Sequence, residues 1–153
     1  MYGSQIRYIG DISREDAELL ARTAAGARRI LEFGAGASTQ VLAQSASEGA
    51  EIVTVETKPD WVERTRANLR RLGIRREVRF VPYRGFWRSV QGPFEMIFDD
   101  GIDRLRAEFA ERAWPMPLFL CSGSTTNRSI EATRPPSRSC GRCESVSTAK
   151  TLP

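Results

Sequence analysis

The 153-residue sequence contains no histidine. That absence excludes Ser-His-Asp and Cys-His catalysis, and with them any imidazole base or zinc ligand. No apolar run approaches the length of a membrane span, and the N-terminus lacks a basic stretch followed by an apolar one. Neither a transmembrane helix nor a secretory signal is read from it, and a cytoplasmic location without membrane contact is expected. Cysteine is missing before Cys121 and aromatic residues are missing after Phe119. An excess of one charge is missing where it would matter most: residues 1–120 hold 18 basic and 17 acidic side chains, residues 121–153 hold 5 and 2. The net charge of +4 is therefore mostly a property of the C-terminal segment, which argues against a nucleic-acid partner.

Composition divides the chain near Cys121. Residues 121–153 carry 12 Ser and Thr, and only Ile130, Val146 and Leu152 as large aliphatics. Such a segment buries too little apolar surface to offset the entropy of ordering it, so a disordered polar tail is expected there. Its Cys140-Gly-Arg-Cys143 has no second pair and no histidine, and predicts no metal site. The domain is expected within residues 1–120, without internal repeats.

Within that domain, strand and helix signals alternate. Ser13 with Asp16 three residues later opens a helix through Ala17, Leu19 and Leu20 that ends near Gly26. Arg29–Phe33 (RILEF) reads as a strand, and Ser38 opens a second helix. Glu51–Glu56 (EIVTVE) is β-branched and reads as the next strand. Pro59 starts a third helix, closed by Gly73. Segments 78–81, 94–98 and 117–121 read as further strands, with a helix over 102–114. Strands that alternate with helices require crossovers, and hence an α/β fold with a mainly parallel sheet.

In such sheets ligands bind beyond the carboxyl ends of the strands, where the strand order reverses. The turn Gly34-Ala35-Gly36 follows the first core strand, and its glycines let the backbone approach a ligand closely. Glu56 ends the next strand, at a spacing that suits a carboxylate accepting ribose hydroxyls. A dinucleotide fingerprint would have glycine at Thr39 and an apolar residue at Glu32. The acid at Glu32 instead favours a cation, such as the ammonium and sulfonium of S-adenosylmethionine.

ILEFGAGAST resembles the first motif of class I S-adenosylmethionine-dependent methyltransferases. IVTVE followed by a helix is similar to their second motif, and FEMIFDDG to their fourth-strand motif. The Ser-Thr after the second glycine is similar to the small O-methyltransferase-like branch, and the resemblance covers roughly residues 10–120. It implies a Rossmann-like three-layer fold and S-adenosyl-L-methionine as cofactor. It places Glu32 near the methionine amino group, Gly34 and Gly36 as the floor of the site, and Ser38 and Thr39 beside the carboxylate, where a helix N-terminus favours negative charge. It gives the ribose hydroxyls to Glu56, and lets Thr57 or Trp61 flank the adenine. After the third strand this sequence reads Pro82-Tyr83-Arg84-Gly85-Phe86, without the acid common there in the family.

By the same resemblance, Asp99 and Asp100 end the fourth strand, under the reactive methyl group. Methyl transfer is an in-line displacement that depends on positioning, but an oxygen or nitrogen nucleophile also has to lose a proton. Asp99 or Asp100 is the candidate base. The alternatives are a place in a divalent-metal site, or a helix cap and a turn around Gly101. No residue set for a metal is complete in the sequence, and none is expected.

After Ala113-Trp114-Pro115 the family usually continues with a further strand and a strand hairpin that completes the sheet. Here α/β periodicity does not return, as if another reading frame had been translated. A truncated or frameshifted methyltransferase is the resulting expectation, with the fourth or fifth strand left as an unpaired apolar edge that invites dimerisation. The expected partner is a small-molecule methyl acceptor. The alternatives are a nucleotide-dependent (NAD-type) oxidoreductase, and a non-enzymatic remnant that only binds S-adenosylmethionine.

Overall fold

The computed structural model describes residues 5–100 and the strand backbones of 119–122 and 130–133. The elements run α1 (Arg14–Ala24), β1 (Arg29–Phe33), α2 (Ala37–Ser45), β2 (Glu51–Glu56), α3 (Pro59–Arg71), β3 (Arg79–Pro82), a short 3-10 turn (Phe86–Arg88), β4 (Met96–Asp99), β5 (Phe119–Ser122) and β6 (Ile130–Thr133). Helix ends follow local chemistry. Ser13 is extended, and its Oγ accepts the Asp16 N–H at 3.0 Å, with Glu15 and Asp16 in the first turn of α1. Pro59 starts α3 without losing a bonded donor. That helix ends in a Schellman motif: Gly73 takes φ 69°, its N–H donates to Arg70 O, and Ile74 N–H donates to Leu69 O, each at 3.0 Å. The C-terminus of α2 is closed from outside. The Arg76 guanidinium donates to Ala43 O, Ser47 O and Ala46 O at 2.9–3.0 Å, and places a positive charge where the helix dipole favours one.

One six-stranded sheet has the order β3-β2-β1-β4-β5-β6. Strands β1 to β5 are mutually parallel, and β6 pairs antiparallel with β5. The central β1 sits between β2 and β4, with Glu32 opposite Thr54 on one side and Phe98 on the other. It is buried on both faces, as a strand covered on both sides requires. On one face Ile30, Ile52, Met96 and Phe98 pack under Leu20 of α1, Val41 and Leu42 of α2 and Leu69 of α3. On the other, Leu31, Phe33, Val53, Val55, Val81 and Ile97 pack under Phe86, Val90 and Phe94, which follow β3.

The α/β class and parallel sheet read from the sequence are those of the structure, with β1 and β2 at the expected bounds and other ends shifted by one or two residues. The expected unpaired edge at the fourth or fifth strand is corrected. Strand β5 lies between β4 and β6, so neither it nor β4 is an edge. Residues 130–133 lie within the segment expected to be disordered. An antiparallel partner needs only a short return, here residues 123–129, and so can be recruited by a segment with little apolar content. The helix expected over 102–114, the Gly101 turn, the Cys140/Cys143 pair and the rest of the expected tail lie outside the described residues.

Candidate functional site at the strand switch point

The strand order reverses between β1 and β4. Beyond their carboxyl ends lie the Gly34–Gly36 turn, Glu56 and the Asp99-Asp100 pair. Backbone bonds continue the ladders into this rim: Gly34 N–H donates to Val55 O at 2.9 Å, Asp100 N–H to Phe33 O at 2.9 Å and Tyr83 N–H to Glu56 O at 3.0 Å. Gly34 takes φ 90°, which a side chain would strain. Gly36 is extended and is the N-cap of α2, and a Cβ built there would meet nothing within 4 Å. Open space therefore adjoins the backbone where the helix begins.

Glu32 has no solvent exposure. Ser38 Oγ donates to its Oε1 at 2.6 Å, while Thr39 Oγ1 and Thr54 Oγ1 donate to its Oε2 at 2.7 Å. Burial pushes the carboxyl up from its ordinary 4.5 to about 7, the three hydroxyl bonds pull it down, and nearby Asp100 adds to the rise. Thr39 Oγ1 also accepts the Gly36 N–H at 3.0 Å, so one hydroxyl joins the glycine turn to the buried acid. The hydroxyls of Ser38 and Thr39 thus point inward, beneath the site, where the sequence reading places them beside a ligand.

Glu56 is half-buried at the end of β2. Its Oε2 accepts the Ala35 N–H at 2.8 Å, and its Oε1 accepts Thr57 N–H (2.6 Å), Thr57 Oγ1 (3.0 Å) and Lys58 N–H (2.9 Å). One carboxylate so ties the glycine turn to the start of α3. A second lone pair on Oε2 remains for a hydroxyl donor. Thr57 and Trp61 are exposed beyond it, with the Arg64 guanidinium 5.0 Å from the Trp61 ring centre.

Asp99 is fully buried and paired in register with Phe33, on the sheet face opposite Glu32. Asp100 is exposed just past β4. The two acids, adjacent in sequence, stand in different environments. Next to them, Phe86 packs edge-on against Phe33 (5.4 Å between ring centres) and Trp87 (5.5 Å) and lies tilted against Tyr83 (5.8 Å). This aromatic cluster follows β3, where this sequence lacks the acid of the resembled family. Among the described residues no group of three or more His, Cys, Asp or Glu is placed to hold a metal.

Two contributors escape sequence reading. Thr54 sits among Ile52, Val53 and Val55 in the buried part of β2, where its β-branching looks sufficient reason for it. Its register opposite Glu32 gives the real one. Gln40 reads as a solvated helix residue, yet it is fully buried and bonded to both the N-terminal segment and Gly36 O.

No protein-family model matches the sequence, and no curated protein matches it. Solved structures do. An O-methyltransferase from Bacillus cereus in complex with SAH aligns with TM-score 0.63 and 25% identity over 72% of this chain and 57% of its own. Cofactor-bound Rv0187 from MTB aligns with TM-score 0.64 and 27% identity, over 72% of this chain and 56% of its own. The fold is that of the S-adenosylmethionine-dependent O-methyltransferases. The O-methyltransferase TomG from Streptomyces achromogenes, in complex with SAM, shares it at TM-score 0.60 and 24% identity, over 72% of this chain and 56% of its own. The chain thus spans little more than half the length of these proteins.

Proposed function

We propose that the domain binds S-adenosylmethionine across the carboxyl ends of β1, β2 and β4 and serves a methyltransferase acting on a small-molecule oxygen or nitrogen acceptor. One observation carries the reading. The open space beside Gly36 lies at a helix N-terminus, and Glu56, bonded to Ala35 N–H, flanks the same turn with a lone pair to offer. The residues fit the cofactor: backbone at Gly34 and Gly36 for the methionine end, the start of α2 for its carboxylate, Glu56 for the ribose, and Thr57 or Trp61 beside the adenine. Glu32 lies beneath the turn as a buried acid whose ionised form favours a positive ligand above it.

When bound, S-adenosylmethionine supplies a methyl group already activated by its sulfonium. The protein then has to orient an acceptor, exclude water and take a proton. Asp99, buried at the end of β4, and the exposed Asp100 are the proposed proton acceptors, and the aromatic wall of Tyr83, Phe86 and Trp87 is the proposed water-excluding side. Thr39, directed into Glu32, stands where a dinucleotide fingerprint has glycine, which disfavours the NAD-type reading. Among the described residues no helix is long and apolar enough to cross a membrane. A cytoplasmic location and a homodimer remain part of this proposal.

Calorimetric titration with S-adenosylhomocysteine, with NAD as control, tests it. Saturable binding of the first alone, weakened about tenfold by Glu56→Ala, is expected. A folded protein that binds neither would overturn it, and methyl transfer to a panel of acceptors separates an enzyme from a binding remnant.

A further inference from the structure

Helix α2 presents two glutamines, one turn apart, to an extended N-terminal segment. Gln44 Oε1 accepts the Arg7 N–H at 3.3 Å and its Nε2 donates to Arg7 O at 2.6 Å. Gln40 Oε1 accepts the Ile9 N–H at 2.8 Å and its Nε2 donates to Ile9 O at 2.9 Å. Each side-chain amide thus acts as a piece of neighbouring β-strand. The spacing permits it, because four helical residues and two extended ones both advance about 6–7 Å.

The two glutamines differ in what else they hold. The second Nε2 proton of Gln44 goes back to Gln40 O within the helix, at 2.9 Å. That of Gln40 goes to Gly36 O at 3.1 Å, in the glycine turn. Both N–H donors of the buried Gln40 amide are then used and its oxygen is engaged, and it joins the segment, α2 and the turn at one point. The segment next passes Gly10, at φ 135°, where a Cβ would come within 3.1 Å of Ala37 Cβ in the first turn of α2. One helical turn before Gln40 stands Gly36 itself, with no side chain and open space at its Cβ position.

We propose that Gln40 is a positioning residue for the cofactor site, holding the Gly36 carbonyl and the backbone of residues 9–10 in one register so that the space beside Gly36 keeps its shape. This rests on the reading of that space as the S-adenosylmethionine site. No shorter amide reaches both partners. A Gln40→Glu change keeps the acceptor for Ile9 N–H but sets an oxygen against two carbonyl oxygens.

The test compares the affinity of wild type, Gln40→Leu, Gln40→Glu and Gln44→Leu for S-adenosylhomocysteine, each at temperatures well below its own melting point. Both Gln40 variants are expected to bind about tenfold more weakly, and Gln44→Leu, which releases the Arg7 backbone without touching the turn, within about twofold of wild type. Equal weakening by Gln44→Leu, or none by the Gln40 variants, would overturn the proposal. Hydrogen exchange of the wild type needs no variant: saturation with S-adenosylhomocysteine should slow the Ile9 amide, and an unchanged rate there would also overturn it. A folded wild type that binds no S-adenosylhomocysteine overturns the cofactor reading itself, and the role of Gln40 with it.

Discussion

The two faces of the central strands solve the same packing problem in different ways. On the face under α1, α2 and α3, an apolar layer is interrupted near the strand ends by one acid, Glu32, whose oxygens are filled by three hydroxyls from α2 and β2. On the other face, the strand ends meet rings: Phe33, Phe86 and Tyr83, with Trp87 at the rim. A buried polar network fixes geometry only when every member is satisfied, whereas rings fill space with fewer directional demands. The site lies where the two meet. Its rigid half is the polar one, and its shaped wall is the apolar one.

Substitutions on each face should separate these roles. Phe86→Ala removes the ring shared by three aromatic contacts and should cost about 4 kcal/mol in urea denaturation, the largest loss expected here. It should leave the glycine turn able to bind, so a lost affinity for S-adenosylhomocysteine in a folded variant would blur the division between the faces.

Glu32 sharpens the comparison through pH. The folded carboxyl keeps its proton to about 7, while the unfolded one releases it near 4.5. The folded state therefore binds more protons in between, so the contribution of Glu32 is fully present below pH 4.5 and is lost as pH rises through about 7. Its size is about 3 kcal/mol, read as the stability difference between wild type and Glu32→Gln across that range. A difference that does not change with pH would mean that the buried acid is ionised throughout. A smaller effect is expected outside the site. Arg76→Met leaves three carbonyls at the end of α2 without their charged donor and should cost about 2 kcal/mol. Ser13→Ala, far from either half of the site, should cost about 1 kcal/mol through the lost cap of α1.

What was legible in the sequence follows from what is local. Strands β1 and β2 are read to the residue because largely apolar or β-branched runs bounded by charged or glycine positions leave little choice. The carboxyl-end cluster of Gly34, Gly36, Glu56 and Asp99 follows from parallel topology alone, since successive strands deliver their ends to one rim. Pairing is not local. The apolarity of residues 117–121 predicts a strand but not its neighbour, so the antiparallel β6 went unseen and an exposed edge was expected. The inward turn of Ser38 and Thr39 is likewise invisible, because a hydroxyl at a helix start reads equally well as a cap or a ligand contact. Thr54 and Gln40 are hidden for a related reason. Each has a sufficient local explanation, and only register reveals the partner.

The account stands on one claim, that the glycine turn and Glu56 form a cofactor site. Backbone amide resonances followed during titration with S-adenosylhomocysteine test it most directly. Saturable shifts at Gly34, Ala35, Gly36 and Thr57, absent with NAD and absent at the distant Gly73, are the predicted result. A folded protein whose Ala35 and Gly36 resonances stay fixed through the titration would contradict it.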